Sequence, residues 1–137
     1  MKITVETTVH ASAQEVWRAW TTPQDIMQWN AASDDWHTPR ASVDLRVGGT
    51  FTSRMEARDG SMGFDLKGTY TRIVPQQFIE FALEDARLVQ VEFVATPGGV
   101  TVRETFDAEG THTTDQQRQG WQAILDNFAR HVEKRVI

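Results

Sequence analysis

In the stretch GVTVRETF, residues 99–106, one phase of the alternation carries Val100, Val102, Glu104 and Phe106, and the other carries Thr101, Arg103 and Thr105. A carboxyl group therefore stands where the strand pattern calls for an apolar side chain. Burial disfavours the charged form, so an inward Glu104 has a raised pKa and can act as a general acid or base, or pair with a cation on a ligand. Two other outcomes leave it chemically idle: a salt bridge to an inward Arg or Lys, or a β-bulge that turns it outward.

A second candidate is WNAASDDWH, Trp29 to His37. It falls between a predicted helix and the predicted sheet, in a stretch without periodicity. As a pocket entrance, Trp29 and Trp36 would supply apolar surface while Asn30, Asp34, Asp35 and His37 orient a polar group. As an ordered loop, the tryptophans anchor it and the aspartates make turn hydrogen bonds. His37 beside Asp34 and Asp35, with His112 far along the chain, does not make a metal site. There is no cysteine and no H-x-x-x-H pair, so neither metal nor cofactor is expected. No serine, histidine and acid form a nucleophilic set either, and the catalytic residues stay unassigned.

The elements that must position these groups begin with Ile3, Val5, Thr7 and Val9, which alternate with polar residues as a half-buried strand does. Ser12 and Glu15 have capping-box spacing and start a short helix that runs to about Trp20. Thr22 and Pro23 start a second one, to about Trp29, with proline at the first helical position where its missing N–H does no harm. From Val43 to Phe106 the period is two, broken by turn chemistry at Gly48-Gly49, Asp59-Gly60, Val74-Pro75, Glu84-Asp85 and Pro97-Gly98-Gly99. That reads as about six strands in a meander. The inward phase holds Phe51, Ser53 and Met55 in one strand and Phe64, Leu66, Gly68 and Tyr70 in the next, while Asp44, Arg46, Asp65 and Lys67 face solvent.

Thr114 and Gln117 offer another capping box, after which Trp121, Ile124, Leu125, Phe128 and Val132 share one helical face. A helix at each end and an antiparallel meander between them is an α+β pattern in which the last helix covers the sheet. Gly120 lies within that helix, on the sheet-facing stripe beside Trp121, at a cost of about 1 kcal/mol relative to alanine. Its missing side chain opens space that either a large sheet residue or a ligand fills.

The totals limit the partners. With 137 residues, 39% hydrophobic and 24% charged, one domain spanning 1–137 is expected. No apolar run approaches the roughly 20 residues that cross a bilayer. The opening MKITVETTVH lacks the apolar core of a secretory signal, so the cytoplasm is the expected compartment. A net charge of −5 without a Lys/Arg block argues against nucleic acid or an anionic membrane as partner.

Four segments, VWRAWTTPQDIMQW, DLRVGGTF, GTYTRIVPQQFIEF and GWQAILDNF, give the chain its kinship. In order and spacing it resembles the bacterial single-domain branch of the activator-of-heat-shock-protein-90-ATPase-like family, within the SRPBCC or START-like superfamily, from Lys2 to Glu133. NAASDDWH, RMEARDGSMGFD and RETFDAE resemble a narrower subgroup of that branch. The resemblance implies a helix-grip fold: a curved antiparallel sheet wrapped around a long C-terminal α-helix, with two short helices after strand one. It also implies an interior pocket that binds a hydrophobic or amphipathic small molecule, in a carrier or sensor, or in an enzyme of the cyclase, aromatase or isomerase kind. Activation of a heat-shock chaperone ranks last, because the activator itself carries a further N-terminal domain for which 137 residues leave no room. The expected ligand-binding residues are Trp29, Trp36, His37, Phe51, Met55, Phe64, Glu104, Gly120 and Trp121, in a monomer or homodimer.

Overall fold

Strand β1 (Lys2–Val9) buries Ile3, Val5 and Val9 and exposes Lys2, Thr4 and Glu6, as its alternation requires. The structure, a computed structural model, describes residues 1–135, and the last two residues of the expected 1–137 domain lie outside the described residues. Helix α1 (Ala13–Thr21) starts where the Glu15 N–H donates to Ser12 Oγ at 3.2 Å. Helix α2 (Pro23–Trp29) follows at once, with Thr22 as N-cap and Pro23 in the first turn.

The meander is formed by β2 (Trp36–Val43), β3 (Thr50–Ala57), β4 (Gly63–Val74), β5 (Phe78–Leu83), β6 (Leu88–Thr96) and β7 (Gly99–Asp107). Its connections fall at the Gly, Pro and Asp clusters that the sequence marks as turns. The first strand begins earlier than the periodicity indicates. Trp36 and His37 belong to β2, because antiparallel pairing of Trp36 with Ala57 and of His37 with Glu56 extends the sheet into what reads as a loop. All seven strands form one sheet in the order β1-β7-β6-β5-β4-β3-β2. The chain thus leaves β1 at one edge, crosses by way of α1 and α2, enters the opposite edge as β2, and meanders back until β7 pairs with β1.

Two register shifts help to curl this sheet. One lies in β2 between His37 and Arg40, around Pro39, which has no N–H to donate and is tolerated because an edge strand and a bulge do not require one there. The other lies in β4 between Tyr70 and Arg72. Each bulge bends its strand and raises the local twist.

Helix α3 (Thr114–Arg135) closes the concave side and packs chiefly along β1. Its capping box is Thr113 with Gln116, one residue before the expected Thr114 and Gln117. The Gln116 N–H donates to Thr113 Oγ1 at 3.1 Å, and the Thr113 N–H donates to Gln116 Oε1 at 3.0 Å. Gln117 does another task. Buried, its amide donates to the carbonyls of Glu109 and His112 at 3.1 and 2.9 Å and accepts from the Glu109 N–H at 2.9 Å, tying the incoming chain to the helix. Leu125, Phe128 and Val132 are fully buried against the sheet, whereas Trp121 and Ile124, two turns and one turn before Phe128, are only half-buried. Among the described residues no helix is long and apolar enough to cross a membrane.

Candidate functional site

The difference between the two halves of α3 locates the site. Along β1 the helix rests on a hydrophobic core that includes Ile3, Val5, Val91 and Val102. Towards β3, β4 and β5 the curled sheet moves away from it, and a cavity of about 120 Å³ is left between them. One water needs roughly 10–15 Å³ by such a measure, and an engineered apolar cavity of about 150 Å³ takes up benzene. The space suits a body of about one ring.

Aromatic rings build a large part of its wall. Phe51, on β3, lies across β4 because Gly68, its register partner, has no side chain. A Cβ at Gly68 would stand 2.4 Å from the Phe51 ring and 3.2 Å from Phe81. The Phe51 ring consequently sits 4.8 Å from that of Phe81 and 5.5 Å from that of Tyr70. On the helical side Trp20 of α1 stacks on Trp29 of α2 with centroids 5.0 Å apart, and Phe128 of α3 meets each edge-on at 5.0 Å. Trp29 is held by its indole N–H, which donates to the Ala19 carbonyl at 3.0 Å. Trp121 enters from α3, stacked on Phe106.

Four polar side chains share this wall: Asn30, Ser53, Tyr70 and Glu104, exposed by 8%, 4%, 6% and 6%. No hydrogen bond from a described residue reaches any of them, yet no fully enclosed side-chain N or O among the described residues lacks a partner. Each of their polar groups therefore keeps some accessible surface, and all four residues line the cavity. Glu104 is flanked across the strands by Val5 and Val91. Burial alone pushes its carboxyl up to about 8, so it is protonated at neutral pH. Among the described residues neither an inward cation nor a bulge intervenes. The Tyr70 phenol is likewise pushed up to about 12, by burial first and the charge of Asp44 second.

Of the nine residues expected at the site, the structure brings Trp29, Phe51, Met55, Glu104 and Trp121 together around the cavity. Four lie elsewhere. Trp36 and Phe64 face each other with centroids 6.0 Å apart near the end of the concave face, where Phe64, second residue of β4, is 48% exposed. His37 has the opposite phase in β2 and stands 3.6 Å from Glu56 on the convex side, where the strand alternation must send it once Trp36 faces inward. Gly120 is not in the wall, and a Cβ added there would meet nothing within 4 Å, so no sheet residue fills its place. Asp34 and Asp35 are exposed, and their carbonyls accept from the Arg58 side chain and backbone N–H. His112 contacts Glu109, at the other end of the molecule's sequence from His37. Among the described residues no three His, Asp or Glu side chains gather as metal ligands.

Sequence reasoning placed Ser53 and Tyr70 inward without assigning them a role. The signal that singled out Glu104, a polar residue in an apolar phase, applies to Ser53 as well. A further cluster carried no sequence signal. Buried Asp25 of α2 accepts from His131 Nε2 at 2.8 Å and pairs with Arg135, and Asn127 donates to the Ala31 carbonyl at 2.5 Å. These contacts lock α2 and the segment after it onto α3, which sets the position of Trp29 and Asn30.

A curled antiparallel sheet gripping a long C-terminal helix, with two short helices after the first strand, defines a helix-grip protein of the SRPBCC type. Within that class, the chain belongs to the family described as activator of Hsp90 ATPase homolog 1-like protein, whose model matches residues 10–133. The AHSA1-like protein from Aeromonas hydrophila, solved by NMR, is 51% identical, with a TM-score of 0.93 over 99% of this chain and 94% of that one. A protein from Cytophaga hutchinsonii is 44% identical, with a TM-score of 0.84 over 98% and 94%. One from Chromobacterium violaceum, 19% identical over 97% and 98%, shares the fold with a TM-score of 0.84. No curated protein matches the chain. The resemblance read from the four sequence segments, and the helix-grip fold it implies, are borne out.

Proposed function

We propose that the protein binds a hydrophobic or amphipathic small molecule in the cavity between sheet and α3, as a carrier or sensor. One observation carries this reading: four polar residues, each more than nine-tenths buried, line an otherwise apolar and aromatic cavity, and their side chains have no hydrogen-bond partner among the described residues. Leaving a buried polar group unpaired costs about 1–3 kcal/mol, and a chain that needed only a stable core would fill such a space with apolar side chains. A few convergent polar groups in an apolar hollow are the usual form of a small-molecule site. The SRPBCC fold is generally a ligand-binding one, which supports the same reading.

Glu104 favours one second reading, an enzyme of the cyclase or isomerase kind. A protonated, unpaired carboxyl inside a cavity is a competent general acid near pH 7. Both readings require a guest molecule. The test is uptake of a neutral one-ring compound, benzyl alcohol, followed by NMR shifts at Ser53, Tyr70 and Trp121, together with native mass spectrometry of the protein from its own host. Saturable shifts at those residues are expected. Failure of the compound to bind, with a bare protein mass, would sink both readings.

A further inference from the structure

We propose that the guest of this cavity is a small organic cation, an amine carried on an aromatic or apolar body of about one ring, with Glu104 as its counter-ion. This rests on the reading of the cavity as a binding site and names the class of molecule it takes.

The charge of the wall makes the selection. Its residues include one carboxyl and no Arg, Lys or His. A carboxylate or phosphate ligand would bury an anion beside Glu104 with nothing to neutralise it, an arrangement whose desolvation cost nothing repays. A purely apolar guest would exclude water while leaving Glu104, Asn30 and Ser53 unpaired. An ammonium group answers both demands. It donates to the Glu104 carboxylate, and the Asn30 amide oxygen and the Ser53 hydroxyl are acceptors for its other protons. The rings of Trp20, Trp29, Phe51, Tyr70, Phe81 and Trp121 line the same space, and an aromatic face within about 6 Å attracts a cation, the more so when water is excluded.

The proton balance is simple. Free protein holds a proton on Glu104; when a protonated amine enters, the carboxyl O–H breaks, that proton goes to solvent, and an ion pair remains. Val5 and Val91 flank the group across the sheet, and Trp121 and Ile124 are what α3 contributes to the wall. The remaining titratable group of the wall is the Tyr70 phenol, pushed up to about 12, which stays neutral throughout. Affinity for an amine must therefore rise with pH until Glu104 ionises by itself near pH 8.

Calorimetric titration with benzylamine, benzyl alcohol and benzoate separates the possibilities. Benzylamine is expected to bind about tenfold or more tighter than benzyl alcohol at neutral pH, benzoate not at all, and benzylamine affinity to rise about tenfold per unit from pH ~6 to ~8 with one proton released. Glu104→Gln should abolish the pH slope and the amine preference while still binding benzyl alcohol, which also reports that the variant is folded. If benzyl alcohol binds as well as benzylamine, or Glu104→Gln leaves their ratio unchanged, the cation is the wrong class and the cavity keeps its role as a site for neutral molecules. If neither compound binds, both the cation and the binding reading fall.

Discussion

Trp121 of α3 lies flat on Phe106 of β7, with ring centroids 3.8 Å apart and planes 11° from parallel. Phe106 is two residues from Glu104 on the same face of the same strand. The stack thus sets how far the helix stands from the strand that carries the carboxyl, and hence the depth of the cavity.

Replacing Trp121 by alanine should remove both the stack and part of the cavity wall. Full truncation of a buried tryptophan costs about 3–5 kcal/mol, and Trp121 is half-buried, so a loss of ~2–3 kcal/mol is expected. Denaturant melts measure it. The enlarged cavity should also admit a two-ring neutral probe that the parent protein excludes. A variant with parental stability and parental size selection would show that the stack does not hold the helix at its distance.

Glu104 predicts a pH dependence of stability. Below its ordinary value of 4.5 the carboxyl is protonated in the folded and unfolded chain alike, and it contributes no difference. Between 4.5 and about 8 the unfolded chain gives up a proton that the folded chain keeps. Stability must then fall as pH rises, by up to ~1.4 kcal/mol per unit, and level off above the folded value. Glu104→Gln should flatten that part of the profile and be more stable than the parent at pH about 8, measured by urea midpoints at several pH values. Parallel profiles for the two proteins would mean that Glu104 is not desolvated.

Much of this was legible in the chain because each half-buried strand writes its facing into the sequence. Ile3, Val5 and Val9, and likewise Val100, Val102 and Phe106, announce the buried side, so Glu104 and Ser53 could be placed inward from phase alone. What phase does not report is how far along its strand a residue sits under the helices. Phe64 and Met55 share an inward face, yet Met55 lines the cavity and Phe64, at the end of β4, is exposed. Strand extent was equally hidden. His37 looked like a loop residue because the pairing that makes it part of β2 comes from Glu56, nineteen positions away. The contact of Asp25 with His131 spans still more chain and depends on how α2 lands on α3, which no local spacing encodes.

That contact carries the third prediction. Asp25 is 6% exposed and serves both His131 and Arg135. Asp25→Ala leaves a largely buried histidine without its acceptor, and a destabilisation of about 2–4 kcal/mol is expected. Arg135→Ala should cost under about 1 kcal/mol, since that side chain is 41% exposed and water can replace its partner. A double-mutant cycle on Asp25 and His131 checks the assignment by chemical denaturation. Additive effects would show that the pair does not couple α2 to α3.

The last prediction concerns which residue gives the cavity its room. The sequence pointed to Gly120, but the structure gives the aromatic wall its space through Gly68, and it puts Ser53, not Gly120, in that wall. A Cβ at Gly120 meets nothing, so Gly120→Ala should stabilise the helix by up to about 1 kcal/mol. Gly120→Leu should leave uptake of a neutral one-ring probe unchanged. Ser53→Leu should instead fill the cavity and abolish uptake, while Gly68→Ala should press on the Phe51 ring and cost about 1–3 kcal/mol. Probe titrations and denaturant melts on these four variants decide the matter. Were Gly120→Leu to block the probe as thoroughly as Ser53→Leu, the space beside Gly120 would be continuous with the cavity, and the helix as well as the sheet would set its size.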